Sequence, residues 1–254
     1  MNITVLKFDS LESTNSEAIE QSKRGAEEGL CIVADEQTAG RGRYGRTWIS
    51  KKGDGLYFSV ILRPQLPAGF LPLITLMASV AVSDTLAELY DLKPDIKWPN
   101  DVLINERKIS GILAESTETA KGLAVILGIG INLTPLISAE ALVQTATSIE
   151  EESGHAVDRD RLIDSLVKCL SYFYSVLQKA EGPKKILDHW ATRSSYFEGK
   201  DVCVTLEDES FVGTTQGLEP NGGLRVIAES GELRIIQAGD VERLRTNGDN
   251  TVQI

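Results

Sequence analysis

The chain has 254 residues and a formal net charge of −11, with 42% hydrophobic and 25% charged residues. This composition is ordinary for a globular protein, and the length allows one large domain or a main domain with a small appendage. The acidic charge argues against a general nucleic-acid surface or an anionic membrane as partner. Because no apolar run has the length of a membrane span and the N-terminus lacks a signal-peptide pattern, we expect a cytoplasmic protein.

Cysteine and histidine are scarce in the sequence. Cys31, Cys169 and Cys203 are odd in number and widely spaced, which predicts reduced structural thiols. The two histidines, His155 and His189, have no pattern of metal-ligand spacing around them. We therefore predict that side chains alone form no metal site.

The first third of the chain predicts alternating strands and helices. An apolar run at residues 3–8 predicts a strand, and Ser13 or Thr14 can cap a helix that ends near Gly25. Further apolar runs predict two strands and a mostly buried helix, at residues 30–34, 56–62 and 73–90.

The stretch at residues 37–48, which we name the Gly/Arg loop, is unusual in its chemistry. It reads Gln-Thr-Ala-Gly-Arg-Gly-Arg-Tyr-Gly-Arg-Thr-Trp, so three glycines alternate with three arginines. Glycine allows close approach of the backbone to a ligand, and arginine offers paired donors to phosphate or carboxylate. In an acidic chain this pattern favours a site for a small anionic ligand. The alternative is a flexible, solvated surface loop.

The middle of the chain predicts a hairpin and a glycine-bearing strand. Residues 102–104 and 108–115 flank a polar turn, as in a β-hairpin. Residues 123–133 predict another strand, in which Gly128 and Gly130 leave one face without side chains. That bare face suits either a flat ring lying on the sheet or a tight contact between sheet and helix.

The last third predicts helices followed by a small β-domain. Ser148 and Asp158 can cap helices, and Gly182-Pro183 separates a long helix, to about residue 180, from another at 184–193. From Tyr196 onward, Asp-, Gly- and Asn-rich turns separate four short β-like runs, at residues 201–206, 211–217, 224–228 and 232–237. We expect a main domain at 1–195, a small barrel at 196–246 and a frayed tail at 247–254.

Four stretches together resemble the biotin–protein ligases. They are Ser13-Thr14-Asn15, Gly-Arg-Gly-Arg-Tyr-Gly-Arg at 40–46, Lys-Trp-Pro-Asn-Asp at 97–101 with Lys-Ile-Ser-Gly-Ile-Leu at 108–113, and Gly-Ile-Gly-Ile-Asn at 128–132. The resemblance covers nearly the whole chain. It implies an α+β fold, with a central mixed β-sheet and flanking helices of the class II synthetase-like type, plus a C-terminal SH3-like β-barrel.

Some members of that family carry an N-terminal helix-turn-helix domain that binds DNA. About a dozen residues precede Ser13, so the resemblance implies the monofunctional form, with no nucleic-acid partner. Related proteins can pair through the edge of the central sheet, which leaves a monomer or a homodimer open.

The resemblance implies a reaction in two steps that uses ATP, biotin and Mg²⁺. The carboxylate of biotin attacks the α-phosphate of ATP, which gives biotinyl-5′-AMP and pyrophosphate. A lysine of the biotin carboxyl carrier protein of acetyl-CoA carboxylase then takes the biotinyl group as an amide and releases AMP. Because the sequence has no Gly-x-x-x-x-Gly-Lys-Ser/Thr motif, the Gly/Arg loop must supply the cations for the phosphates. We expect Mg²⁺ mainly on phosphates and water.

The resemblance also implies roles for single residues. Lys108 bridges the biotin carboxylate and the α-phosphate. From the chemistry of the two steps, we further expect Arg43 to grip the carboxyl–phosphate link of the labile adenylate, and Asp101 to accept or steer the proton of the acceptor lysine. Biotin contacts are expected from Ser13, Thr14, Asn15, Gln37, Gly40, Arg41, Lys108, Gly111, Leu113 and Gly130. ATP contacts are expected from Arg43, Arg46, Trp48, Lys108 and Asn132, with either Arg243 or Arg245 also reaching the nucleotide.

Each of these roles has a plainer alternative in the sequence alone. The Ser13 stretch and Asp101 can simply cap a helix and a turn, Trp48 can pack in the core, and Lys108 can be an exposed hairpin lysine. Among functions, a lipoate– or octanoate–protein ligase is the nearest rival, although a nearby histidine would then be expected. A non-enzymatic regulator that binds biotin or a nucleotide is the other.

Overall fold

The computed structural model describes residues 1–135 and 145–243. Within these residues, twelve strands form two sheets, one of seven strands and one of five. The strands of the larger sheet are β1 (Thr4–Phe8), β2 (Leu30–Ala34), β3 (Gly55–Leu62), β4 (Asp95–Lys97), β5 (Asp101–Ile104), β6 (Arg107–Thr119) and β7 (Gly122–Asn132). The helices are α1 (Thr14–Lys23), α2 (Leu73–Tyr90), α3 (Ile149–Ser153), α4 (Arg159–Leu177) and α5 (Gly182–Ala191).

The larger sheet is mixed, as predicted. Its strand order is β1-β2-β3-β7-β6-β5-β4. Strands β1 and β2 run parallel, whereas the other neighbours run antiparallel. Every residue of β3 is buried, because helices cover both faces of the sheet at its centre. The α+β architecture is therefore confirmed.

Helix α2 lies at the centre of the larger core and contacts α4 and α5. By length and composition alone, the segment Ala68–Tyr90 could cross a membrane, but its most apolar window is 67% buried inside this fold. Such burial is what the core helix of a globular domain requires, since an all-round apolar helix must be covered on every side.

Helix α1 lies on the opposite face of the sheet. Its Ala18 is fully buried with Ile32 of β2 and Ile126 of β7. The helix begins where Ser13 Oγ accepts from Ser16 N at 3.5 Å, so the predicted cap is present. This packing fixes the first turn of α1 against the sheet, at the edge of the site described below.

Strands β5 and β6 form the predicted hairpin. The turn consists of Asn105 and Glu106, both with left-handed φ values, 49° and 64°. Two such residues match the twist of a two-residue hairpin turn. The pairing brings Asp101 opposite Gly111 and Leu103 opposite Lys108. The end of the Lys-Trp-Pro-Asn-Asp stretch therefore lies beside the Lys-Ile-Ser-Gly stretch.

The C-terminal residues form the smaller sheet. Its strands are β8 (Glu198–Thr205), β9 (Ser210–Leu218), β10 (Leu224–Ala228), β11 (Leu233–Ile236) and β12 (Asp240–Arg243). They are antiparallel in the order β11-β10-β9-β8-β12. Trp98 Nε1 donates to Gly222 O at 2.9 Å, so the small sheet is anchored to the main domain. Helix α5 ends and β8 begins on either side of the expected boundary at 195/196.

Several boundaries and one strand differ from expectation. Strand β6 extends to Thr119, although a strand was expected only to residue 115. Helix α4 ends at Leu177 rather than near 180, and α5 begins at Gly182 rather than 184, because proline is tolerated in a first helical turn. Strand β12 was not predicted, since its four residues contain a single buried apolar side chain, Val241. The three cysteines are free thiols, as predicted. The expected tail at 247–254 and Arg245 lie outside the described residues.

Candidate active site

A pocket opens beneath the Gly/Arg loop, on the face of the larger sheet that carries α1. Its walls come from the start of α1, from the loop, from β3 and from the neighbouring β5, β6 and β7. The small domain contributes Asp240. The predicted site residues in the lining are Ser13, Thr14, Asn15, Gln37, Arg41, Arg43, Arg46, Trp48, Asp101, Lys108, Gly111, Leu113 and Gly130.

One end of the pocket is a polar network around the start of α1. Thr14 donates to Gln37 Oε1 through its backbone N at 2.8 Å and its hydroxyl at 3.1 Å. This fixes the amide of Gln37, whose Nε2 donates to Ser50 Oγ at 2.9 Å. The arrangement offers both donors and acceptors, which a ring that carries an NH–CO–NH group needs.

Asn15 is held from three sides. Its Nδ2 donates to Leu113 O at 3.3 Å and to Glu115 Oε2 at 2.7 Å. Its Oδ1 accepts from Ser59 Oγ at 2.6 Å. The amide lies directly over Gly128, where a Cβ would come within 2.2 Å of Oδ1. Ser59 and Glu115 were not predicted as site residues, since neither lies within the motif stretches and their partner Asn15 is far away in sequence.

The flat ring on the bare glycine face is the indole of Trp48. A Cβ on Gly130 would lie 2.5 Å from Trp48 Cε2, and one on Gly111 would lie 2.8 Å from Trp48 Cζ3. These two glycines are register partners on β6 and β7, so the indole rests on bare backbone of adjacent strands. Trp48 Nε1 is buried with no hydrogen-bond partner among the described residues. Trp48 is therefore both packed on the sheet and part of the pocket wall.

Lys108 and Asp101 meet in the pocket. Lys108 Nζ lies 2.7 Å from Asp101 Oδ1, although the pair lacks the alignment of a good hydrogen bond. The ammonium also lies 5.3 Å from the centroid of the Trp48 ring. Thus the predicted cation and the predicted proton acceptor are in contact, and both are only partly exposed.

All three arginines of the Gly/Arg loop reach partners across the pocket. Arg41 Nη2 donates to Glu115 Oε2 at 2.9 Å. Arg43 Nη1 donates to Asn100 Oδ1 and to Gly239 O, each at 3.3 Å. Arg46 forms an ion pair with Asp240. The loop therefore concentrates three guanidinium groups at the pocket, where they can bind an anion.

Tyr57 also lines the pocket. Burial raises the pKa of its phenol well above the ordinary value, and its hydroxyl donates to Lys51 O at 2.8 Å. A phenol with a raised pKa stays protonated at neutral pH, so it cannot accept a proton there. The role of Asp101 as the proton acceptor stays a prediction.

Three residues with predicted ligand contacts, Gly40, Asn132 and Arg243, lie outside the pocket lining. The backbone of Gly40 pairs within the loop, as Trp48 N donates to Gly40 O at 2.9 Å. Asn132 Nδ2 donates to Lys108 O at 3.3 Å and to Thr147 O at 2.9 Å, so this amide fixes the end of β7. Arg243 forms an ion pair with Glu106 in the hairpin turn. Their expected roles toward biotin and the nucleotide stay predictions.

Comparison with known proteins gives the class of this fold and pocket. Residues 7–132 match the biotin/lipoate A/B protein ligase family, and residues 199–244 match the biotin protein ligase C-terminal domain. The structure is similar to a biotin protein ligase from Aquifex aeolicus in complex with biotin and ATP, with a TM-score of 0.82, 29% identity, and coverage of 96% of this chain and 99% of that chain.

Two curated relatives narrow the class. The bifunctional ligase/repressor BirA of Bacillus subtilis is 36% identical over 242 residues, which are 94% of this chain and 73% of the relative. A biotin–[acetyl-CoA-carboxylase] ligase of Paracoccus denitrificans is 34% identical over 236 residues, which are 91% of this chain and 96% of the relative. The chain belongs to the biotin protein ligase family.

Proposed function

We propose that this protein is a cytoplasmic biotin–protein ligase. It activates biotin with ATP to biotinyl-5′-AMP and transfers the biotinyl group to one lysine of the biotin carboxyl carrier protein of acetyl-CoA carboxylase. The observation that carries this proposal is a single pocket that joins the polar Thr14–Gln37 end to Lys108 and the arginines of the Gly/Arg loop. The polar end suits the ring of biotin, and the cations suit its carboxylate and the triphosphate.

The first step needs charge compensation. A carboxylate and a triphosphate repel each other, and a charge-assisted hydrogen bond contributes about 1.5–3 kcal/mol, so two or three such bonds offset the repulsion. Lys108 is proposed to leave Asp101 for the biotin carboxylate and the α-phosphate. Arg43 and Arg46 exchange their present partners for phosphate oxygens in the same way.

Nucleotide stacking is proposed for Trp48, whose indole already lies flat on Gly111 and Gly130. Mg²⁺ enters with ATP and supplies charge neutralisation at the phosphates. The described residues contain no group of three or more His, Cys, Asp or Glu side chains that could hold a metal ion. The pocket carboxylates, Asp101 and Asp240, pair with cations instead.

The second step needs an uncharged lysine. A free lysine has a pKa near 10.4, so its deprotonation at pH 7 costs about 4.6 kcal/mol. Asp101 is proposed to accept or steer that proton once Lys108 has moved to the ligand. The acceptor lysine enters from the open side of the pocket.

The proposed protein is a monomer or a homodimer through the edge of its larger sheet. Strand β4 is one of the two edge strands of this sheet, and its outer side is already hydrogen-bonded. Ile96 N donates to Arg193 O at 2.9 Å, and Ser194 Oγ donates to Ile96 O at 2.6 Å. A dimer through a sheet edge would therefore use β1.

The test is transfer to an acceptor. The protein is incubated with ATP, Mg²⁺, biotin and the biotinyl domain of a biotin carboxyl carrier protein, and the carrier is then analysed by mass spectrometry. We expect a single biotinyl group on one lysine and none on a carrier whose acceptor lysine is replaced by arginine. An unmodified carrier in the presence of bound biotinyl-AMP would contradict the proposed transfer.

A further inference from the structure

Glu115 lies beside the pocket, on β6. Its Oε2 accepts from Asn15 Nδ2 at 2.7 Å and from Arg41 Nη2 at 2.9 Å. One carboxylate oxygen therefore joins the start of α1, under the pocket, to the Gly/Arg loop, above it. Asn15 and Arg41 come from opposite walls of the pocket, so neither can take the place of the other as a partner of Glu115.

The contact with Arg41 crosses the sheet. The loop connects β2 to β3, and the strand order onward is β3, β7, β6. Neighbouring strands lie about 4.8 Å apart, so Glu115 on β6 lies two strands, or roughly 10 Å, away from β3, where the loop ends. The strand in between is β7, which carries Gly128 and Gly130 in the pocket lining.

Arg41 also belongs to a paired part of the loop. Gly42 N donates to Arg46 O at 2.7 Å, and Trp48 N donates to Gly40 O at 2.9 Å, on either side of the Arg41–Thr47 bridge. The loop is thus a small hairpin, with Arg43 near its tip. An interaction that fixes Arg41 consequently also fixes the positions of Trp48 and Arg43.

The other half of the junction is rigid. Asn15 is 4% exposed, and its amide oxygen is fixed by the fully buried Ser59. Its Nδ2 therefore points at Glu115 in one orientation. Because Asn15 holds the carboxylate in place, Glu115 gives the loop a fixed attachment point rather than a mobile surface charge.

We propose that Glu115 is a positioning residue that fastens the Gly/Arg loop across the larger sheet and so sets how long the acyl-adenylate stays bound. The inference rests on the proposed function, since the adenylate is its product. Glu115 acts through Arg41 and Asn15. Its carboxylate is required because it must accept two donors, one of them charged.

The test compares Glu115→Gln with Glu118→Gln. Both remove one carboxylate from β6, but Glu118 is exposed, whereas Glu115 is half-buried between Asn15 and Arg41. We expect Glu115→Gln to release biotinyl-AMP about three- to tenfold faster and to raise the KM for biotin by a similar factor, as loss of one partly exposed charged contact predicts. The kcat for adenylate formation at saturating biotin should change less than about twofold, and Glu118→Gln should match the parent protein.

A double-mutant cycle with Arg41→Gln shows whether Glu115 acts on adenylate release through Arg41 or independently of it. If Glu115 acts through Arg41, the double variant releases the adenylate no faster than the worse single variant. Multiplying effects would overturn the proposal. So would a release rate of Glu115→Gln equal to that of Glu118→Gln, even with a lowered Tm, because that pattern indicates a purely structural role. Absence of adenylate in the parent protein would instead overturn the proposed function.

Discussion

At the scale of single residues, the pocket is a set of opposite charges already in contact. Lys108 pairs with Asp101, and Arg46 pairs with Asp240. Each pair holds a cation at a position where it can bind an anionic substrate. The free-energy cost is limited, because the cation exchanges one anionic partner for another. Exposed ion pairs are worth only about 0–1 kcal/mol, so a triphosphate can displace Asp240 from Arg46, the more exposed of the two cations.

The role of Asp101 can be measured by separating the two steps. Asp101→Asn keeps the shape of the side chain but removes the proton acceptor, and it frees Lys108. We expect adenylate formation within about threefold of the parent rate and transfer to the carrier slowed at least about tenfold, as for loss of a general base. Single-turnover transfer from preformed biotinyl-AMP measures the second step alone. Equal losses in both steps would show that Asp101 only orients Lys108.

At the scale of elements, the sequence predicted those strands, helices and helix caps that local residue patterns determine. The bounds of β2 and α2 match the expected runs, and Ser13 and Ser148 cap helices as expected. Strand β12 was missed because its pattern is too short. Ser59 and Glu115 were missed for another reason: their partners lie 44 and 100 residues away in sequence, so only the sheet order brings them to the site.

The glycines illustrate the same limit. Their spacing on the strand predicted a bare face, and the face exists, but the sequence left open what covers it. In the structure, Asn15 covers Gly128 and Trp48 covers Gly130. The glycines thus allow these side chains to lie close to the sheet. A ligand in the pocket would contact Asn15 and Trp48 more than the backbone of the strand.

The Gly/Arg loop acts as one element, which Arg43→Ala tests. Arg43 joins the loop to Asn100 and to the small domain through Gly239 O. We expect its loss to speed release of biotinyl-AMP by about tenfold or more and to increase non-specific acylation of bystander lysines, because one or two charge-assisted bonds to the adenylate are lost. The released adenylate is measured by chromatography.

The control for this variant is Lys52→Ala, which removes an exposed cation just after the loop, outside the pocket lining. It should retain the adenylate as the parent does. If Arg43→Ala holds the adenylate as tightly as Lys52→Ala, Arg43 does not grip the adenylate.

At the scale of the whole molecule, the two sheets meet at the pocket. The small domain supplies Gly239 O to Arg43 and Asp240 to Arg46, and it receives the Trp98 indole at Gly222. The position of the loop therefore depends on both domains. The sequence indicated the small β-domain but not this contact, since nothing local marks Gly239 or Asp240 as neighbours of the loop.

The most direct test of the account offers the protein a choice of acids. The purified protein is incubated with ATP, Mg²⁺ and equimolar biotin, lipoate and octanoate, and the bound products are identified by native mass spectrometry. We expect protein-bound biotinyl-AMP as the dominant adenylate. Lipoyl- or octanoyl-AMP in comparable amount would contradict the assignment of the Thr14–Gln37 end to biotin, and no adenylate at all would contradict enzymatic activation and favour a binding protein.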